Sequence, residues 1–155
     1  MWHDMMISRN EFPDYIEANA TPEVSEIFLN GIDKDIIIAD WHYFRHDETW
    51  KPAEKFNSLG FDVLCCPWHI EENIEEAVKT VAENNLLGFM ETTWHTLADR
   101  GFYKMLYAAV LAYGTDKTRD EIFSYAASVA RKALPSCGIY ENSGWSEVSV
   151  GTGIN

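Results

Sequence analysis

The sequence predicts an α/β fold on a parallel sheet, with the extent of half a (β/α)8 barrel, and three observations carry that prediction. Asp35 to Asp40, Phe61 to Pro67 and Leu86 to Thr93 are short apolar runs without regular polar alternation. Runs of that kind are strands buried on both faces, as in a parallel sheet. Helical patterns separate the runs, so consecutive strands are joined by crossovers and point the same way. The dipeptide Trp-His occurs four times, at Trp2-His3, Trp41-His42, Trp68-His69 and Trp94-His95. Both residues are uncommon, and three of the pairs close one of the apolar runs. Trp2-His3 then marks the end of one more strand, at the chain start.

Each helix is announced by its own chemistry. Thr21-Pro22-Glu23 places a capping hydroxyl before a Pro at the first helical position, leading into Val24, Ile27 and Phe28. Lys51 to Leu59 forms a short helix that Gly60 ends. Ile70, Ile74, Ala77, Val78 and Val81 recur at helical spacing, and Glu71, Glu72, Glu75 and Glu76 crowd the first turns, where the helix dipole favours anions. Asp99 caps a helix running through Tyr113 and stopping at Gly114. Asp116 or Thr118 starts the last, with Ile122, Tyr125, Ala126, Val129 and Ala133 on one face before Pro135. Residues 1–134 form the half barrel. Residues 135–155, rich in Gly and Ser and without a period, form an irregular tail.

Composition narrows the function. A hydrophobic content of 46% is enough to build a packed core. The formal net charge of −13 argues against a nucleic-acid surface, which needs a basic patch, and against anionic membranes. No stretch approaches the roughly eighteen apolar residues of a membrane span. MWHDMMISRN shows no basic segment followed by an apolar run, so no secretion signal is read there, and the compartment stays open. Cys65, Cys66 and Cys137 make no disulfide framework; Cys65 and Cys66 sit in an apolar run and read as buried thiols.

Parallel sheets of this kind gather ligands at the carboxyl ends of their strands. All four Trp-His pairs fall there. Side chains alternate along a strand, so Trp and His of one pair face opposite sides. Trp2 shares its side with Asp4, Trp41 with Tyr43, Trp68 with Cys66, and Trp94 with Thr92 and Thr96. Flat rings with a few hydrogen-bonding neighbours suit a sugar, whose apolar C–H face stacks while its hydroxyls take directed bonds. The expected substrate-binding set is Trp2, Asp4, Trp41, Tyr43, Trp68, Trp94 and Thr96, with Trp50 and Trp145 as packing residues. Asp40 shares a side with His42 and is expected to orient it. Glu91 opposes Trp94 and is expected to have a partner buried behind the strand. Arg45, His46 and Asp47 read as solvated loop residues.

At these residues the chain resembles the family 20 glycoside hydrolases, the β-N-acetylhexosaminidases and their looser bacterial relatives. Trp2-His3-Asp4 is similar to the end of that family's fifth strand, Trp41 to the end of the sixth, and Val63 to Trp68 to the seventh. Gly88-Phe89-Met90-Glu91-Thr92-Thr93-Trp94 is similar to the eighth. The resemblance covers roughly Trp2 to Thr96 and the following helix, and implies strands five to eight: the C-terminal half of the barrel. It departs at Thr96, where the family usually carries a Glu, and around strand seven, where Trp68 and Glu71 or Glu72 stand for a Tyr and an Asp. What it implies is removal of terminal N-acetylhexosamine-type sugars by a substrate-assisted retaining mechanism, without metal or cofactor. The Asp-Glu pair of that mechanism closes strand four in the family. No such pair ends a predicted strand here, since Asp47-Glu48 is in a loop and Asp120-Glu121 on a helix surface. No catalytic residue is therefore assigned within the chain. Its expected partners are a carbohydrate and either the missing N-terminal half barrel or a second copy, because four strands leave open edges and an uncovered apolar face.

Two other readings compete. His3, His42, His69 and His95 with Asp4 at successive strand ends suggest a metal-dependent hydrolase, though inward-facing Trp residues turn the His residues toward the helices. A non-enzymatic, dimerising half barrel is the other.

Overall fold

The computed structural model describes residues 1–43, 50–68, 70–94 and 102–133. Among them the chain is mixed α/β. Its order is α1 (Pro22–Gly31), β1 (Ile38–Trp41), α2 (Lys51–Ser58), β2 (Val63–Cys66), α3 (Glu71–Asn84), β3 (Gly88–Phe89), α4 (Phe102–Ala112) and α5 (Arg119–Ala133). The three strands form one sheet in the order β1-β2-β3. Both pairings are parallel, with Trp41 opposite Cys66 and Cys65 opposite Phe89. Trp2 adds a parallel bridge to Ala39. The Ile38 amide bonds Asp62 at 2.8 Å, whereas the Ala39 amide bonds Met1 at 2.7 Å. Successive amides of a strand point to opposite sides, so the chain start flanks β1 on the side away from β2.

The elements form where local chemistry directs them. Thr21 Oγ1 accepts the Val24 amide at 3.3 Å, with Pro22 in the first turn. Gly60, at φ +84°, reverses the chain after α2, a conformation that costs glycine least. Asn85, at φ +50°, does the same after α3. Thr118 and Glu121 cap α5 reciprocally: the Glu121 carboxylate accepts the Thr118 amide at 2.8 Å, and Thr118 Oγ1 accepts the Glu121 amide at 3.4 Å.

The third strand is shorter than its apolar run. Only Gly88 and Phe89 pair in regular register, yet the Met90 and Thr92 amides still donate to Cys65 and Pro67 of the neighbouring strand, at 2.8 and 3.0 Å. The run stays attached to β2 beyond the point where regular pairing stops.

One face of the sheet is covered. Ile38, Val63 and Cys65 pack against Trp50, Ala53 and Phe56 of α2 with its leading residue, against Ala77 of α3, and against Met6, Ile7, Phe12 and Tyr15 of the segment that follows Trp2-His3. That segment is irregular but pinned, with Ser25 Oγ of α1 donating to the Met6 carbonyl at 2.5 Å. Ile74, Tyr107, Ala108, Ile122, Phe123 and Ala126 join α3, α4 and α5 in a second cluster, where Tyr107 and Phe123 stack with ring centres 4.6 Å apart. Arg119 reaches from the start of α5 to Glu72 and Glu75 on α3. Such part-exposed pairs add little stability but fix how the helices align. No described helix is long and apolar enough to cross a membrane.

Candidate functional site

Alternation along the strands separates two sets of side chains. Ile38, Asp40 and His42 enter the helix-covered side and are buried. Trp41 and Tyr43 take the opposite side, where strand-end residues from the whole sheet converge. The Tyr43 ring lies 4.9 Å from Trp41, 5.4 Å from Trp68 and 6.3 Å from Trp94. Trp94 Nε1 donates to the Tyr43 hydroxyl at 3.1 Å, and Trp41 Nε1 to Asp4 Oδ1 at 3.4 Å. Tyr43 is the buried hub of this wall, while Trp94 is 62% exposed and offers its ring outward. Trp94 holds φ +46°, a left-handed conformation that is costly for a bulky residue.

Two buried or half-buried polar side chains stitch the strand ends together. Asn73, fully buried on α3, donates from Nδ2 to the His42 carbonyl at 2.6 Å and accepts the Trp68 amide at 3.2 Å. Thr92 Oγ1 donates to the Pro67 carbonyl at 2.7 Å. Burial raises the Tyr43 phenol above its ordinary value, against the opposing effect of its hydrogen bonds with Thr92 and Trp94. The phenol is therefore neutral at physiological pH, able both to donate and to accept.

Behind the wall lies a second group that the sequence indicated only in part. Asp40 Oδ1 stands 2.7 Å from His42 Nε2 and 3.1 Å from His3 Nε2. On its other edge, His42 Nδ1 contacts Glu17 Oε1. All four residues are buried. Burial works against charge on His42, but Asp40 and Glu17 outweigh it and push the imidazolium up to about 9. Burial dominates at His3 and lowers it, so that ring is neutral. Burial likewise works against an ionised Asp40, yet the flanking His3 and His42 hold its carboxyl below the usual range. His3 Nδ1 accepts the Trp41 amide at 3.2 Å. The proton of the neutral His3 ring is therefore on Nε2, facing Asp40.

His3, Glu17 and His42 each bring a donor atom within 4.8 Å of the others, the spacing a metal ion needs. Their surroundings suit protons instead. The His3 lone pair is taken by the Trp41 amide, and both His42 nitrogens face carboxylates. A metal would have to displace those protons and break the bond to Trp41. Asp4, the acidic member of the metal reading, is on the other side with Trp41, and His69 and His95 lie outside the described residues.

Most of the predicted wall thus comes together: Asp4, Trp41, Tyr43, Trp68 and Trp94. Trp2 stands at the edge beside β1, 44% exposed. Thr96, Arg45, His46, Asp47, Cys137, Trp145 and the tail 135–155 lie outside the described residues. Trp50 is a packing residue, 2% exposed against the His42 ring. Cys65 and Cys66 are buried free thiols, and burial pushes Cys66 up to about 12. Glu71 pairs with Lys104 of α4 and Glu72 with Arg119 of α5. Glu91 is buried enough to rise to about 8, with the Lys104 ammonium behind the strand opposing that rise.

Sequence reading missed Glu17 and Asn73. Glu17 lies in a segment without period, and its only signal is the apolar company of Phe12, Tyr15, Ala18 and Ala20, which marks a packed loop. Asn73 interrupts the apolar face of α3 one residue before Ile74.

No family model matches the chain, and no curated protein matches it closely enough to serve as a relative.

Proposed function

We propose that this chain is the C-terminal half of a family-20-like glycosidase barrel, and that its strand-end wall forms one side of a subsite for an N-acetylhexosamine-type sugar. The observation that carries the reading is the gathering of Trp41, Tyr43, Trp68 and Trp94 at the carboxyl ends of parallel strands, with Asp4 and the Tyr43 hydroxyl among them. Indole faces stack on the apolar face of a pyranose, and Asp4 and Tyr43 accept from or donate to its hydroxyls. The retaining mechanism also needs an Asp that orients the 2-acetamido group and a Glu that protonates the leaving oxygen. No described strand ends in that pair, so the reading assigns it to polypeptide outside the present sequence, and the isolated chain binds sugar without cleaving it.

The same reading accounts for the uncovered side of the sheet. Trp2, Ile37 and Met90 alternate onto the wall side and are each at least 40% exposed. In a complete barrel these residues face the interior, where the other strands cover them.

Titration with N-acetylglucosamine, followed by indole fluorescence, tests the subsite. Saturable binding is expected, weakened about tenfold or more in Trp41→Ala and in Trp94→Ala, a loss of ~1.4 kcal/mol or more. In a complete barrel that includes this half, both variants are expected to lose turnover as well. Unchanged affinity in both would remove the wall from the site.

A further inference from the structure

A continuous line of contacts runs from the buried acid–histidine group to the wall. Glu17 meets His42 Nδ1, and His42 Nε2 lies 2.7 Å from Asp40 Oδ1. The same oxygen is 3.1 Å from His3 Nε2, and His3 Nδ1 accepts the Trp41 amide at 3.2 Å. The residue after His3, Asp4, accepts the Trp41 indole N–H at 3.4 Å. Three of the four residues of the line on the covered side are next in sequence to one of the wall: His3 to Trp2 and Asp4, Asp40 to Trp41, His42 to Trp41 and Tyr43.

We infer that Glu17, His42, Asp40 and His3 form a positioning relay for Trp41, with a proton-loaded His42 at its centre. The relay deepens the sugar-subsite reading and rests on it for its consequence, though not for its geometry. Its logic is charge balance. His42 lies between two carboxylates, touching Glu17 through Nδ1 and standing 2.7 Å from Asp40 Oδ1 through Nε2, and that same oxygen is 3.1 Å from His3 Nε2, so charge attraction and not hydrogen-bond geometry links these last three atoms. That leaves the His3 lone pair for the Trp41 amide, so the backbone of the wall residue is held by a ring whose proton cannot be elsewhere. Removal of one proton from His42 leaves two buried carboxylates facing a ring with a single N–H. Both then lose the positive charge between them, which in a dry interior is costly, and the line slackens toward Trp41.

The groups around His42 leave few other sources of titration. The loop contributes Glu17 and the Tyr15 ring, 4.7 Å away; the chain start contributes His3; the strand itself contributes Asp40. α2 and its leading residue present rings, Trp50 at 5.2 Å from His42 and Phe56 at 6.4 Å from His3. α3 presents the neutral Asn73 amide, and on β2 the Cys65 thiol beside Asp40 is raised by burial out of the physiological range.

Nuclear magnetic resonance on the nitrogen-labelled full chain tests the relay. The His42 imidazole and the Trp41 indole N–H, the latter assigned with Trp41→Phe, are followed from about pH 6 to about pH 10. The indole signal is expected to move with the midpoint of His42. Glu17→Gln is expected to carry both midpoints down together by about one pH unit or more. An indole signal that stays still, or that titrates at a midpoint Glu17→Gln leaves alone, overturns the relay. If Glu17→Gln does not fold, the wild-type midpoints decide, and separate values overturn it. Calorimetric titration with N-acetylglucosamine is expected to give affinity at least about fivefold weaker at about pH 9.5 than at about pH 7 in the folded chain. Equal affinity at the two values overturns the relay as a positioning device. Absence of binding at both removes the sugar reading, and the indole resonance still decides the relay.

Discussion

His42→Ala is expected to lower the stability of the chain by about 3–5 kcal/mol, the cost of removing one partner from a buried ionic group. The ring now separates two carboxylates, Asp40 and Glu17, both buried. Without it, His3 alone faces Asp40, and Glu17 keeps no histidine. Both acids must then stay charged in a poor solvent, take up protons, or pull their segments out toward water. Small domains have only about 5–15 kcal/mol in total, so the transition should fall by roughly 10 °C or more. The loss also has a pH signature. The folded-state value of His42 lies above its unfolded one, so its contribution is complete below about 6.5 and disappears as pH rises through about 9. Denaturant titrations should therefore show the wild-type advantage over His42→Ala at neutral pH and a smaller gap above about pH 9. A gap independent of pH would mean that His42 acts by packing alone.

The parts of this molecule that were legible in the sequence are those whose causes are local. Thr21-Pro22, Gly60 and Thr118 are followed or preceded by helix ends for reasons confined to a few residues, and the structure has them there. The separation of Trp from His across the sheet follows from strand alternation, and Trp41 and His42 do face opposite sides. Register and partners were harder. The apolar run from Leu86 gave no hint that only two of its residues pair regularly, because that depends on where β2 ends. Glu17 and His42 are 25 residues apart and meet only because an irregular segment folds back over β1. The same holds for Asn73, which bonds a carbonyl 31 residues earlier. A polar residue amid apolar neighbours signals that a buried partner exists, but not which one. Lys104, in the otherwise apolar stretch of α4, gives that signal too; its partner Glu71 is on another helix.

Glu91 offers the second large effect, with the opposite sign. It follows β3, and its Oε2 is shut off from solvent without a hydrogen-bond partner. Lys104 lies near enough to be felt, but that ammonium already bonds Glu71, and burial lowers Lys104 from its own ordinary value. The desolvation of Glu91 therefore wins over its attraction to Lys104, and its carboxyl rises from 4.5 to about 8. Here the folded state holds the proton longer than the unfolded one. Stability is undiminished below about 4.5, falls as pH rises, and reaches its full loss above about 8. At ~1.4 kcal/mol for each factor of ten, the loss amounts to about 5 kcal/mol. Glu91→Gln keeps the shape and cannot ionise. It is expected to match the wild type near pH 4.5 and to exceed it by several kcal/mol near pH 9 in denaturant titrations. The alkaline weakening from His42 is common to both proteins and cancels in the comparison. A variant that instead loses stability at pH 9 would show that Glu91 is ionised there and that Lys104 is its true partner. The Lys104–Glu71 pair would then be the secondary contact, and the charge behind β3 would belong to the strand.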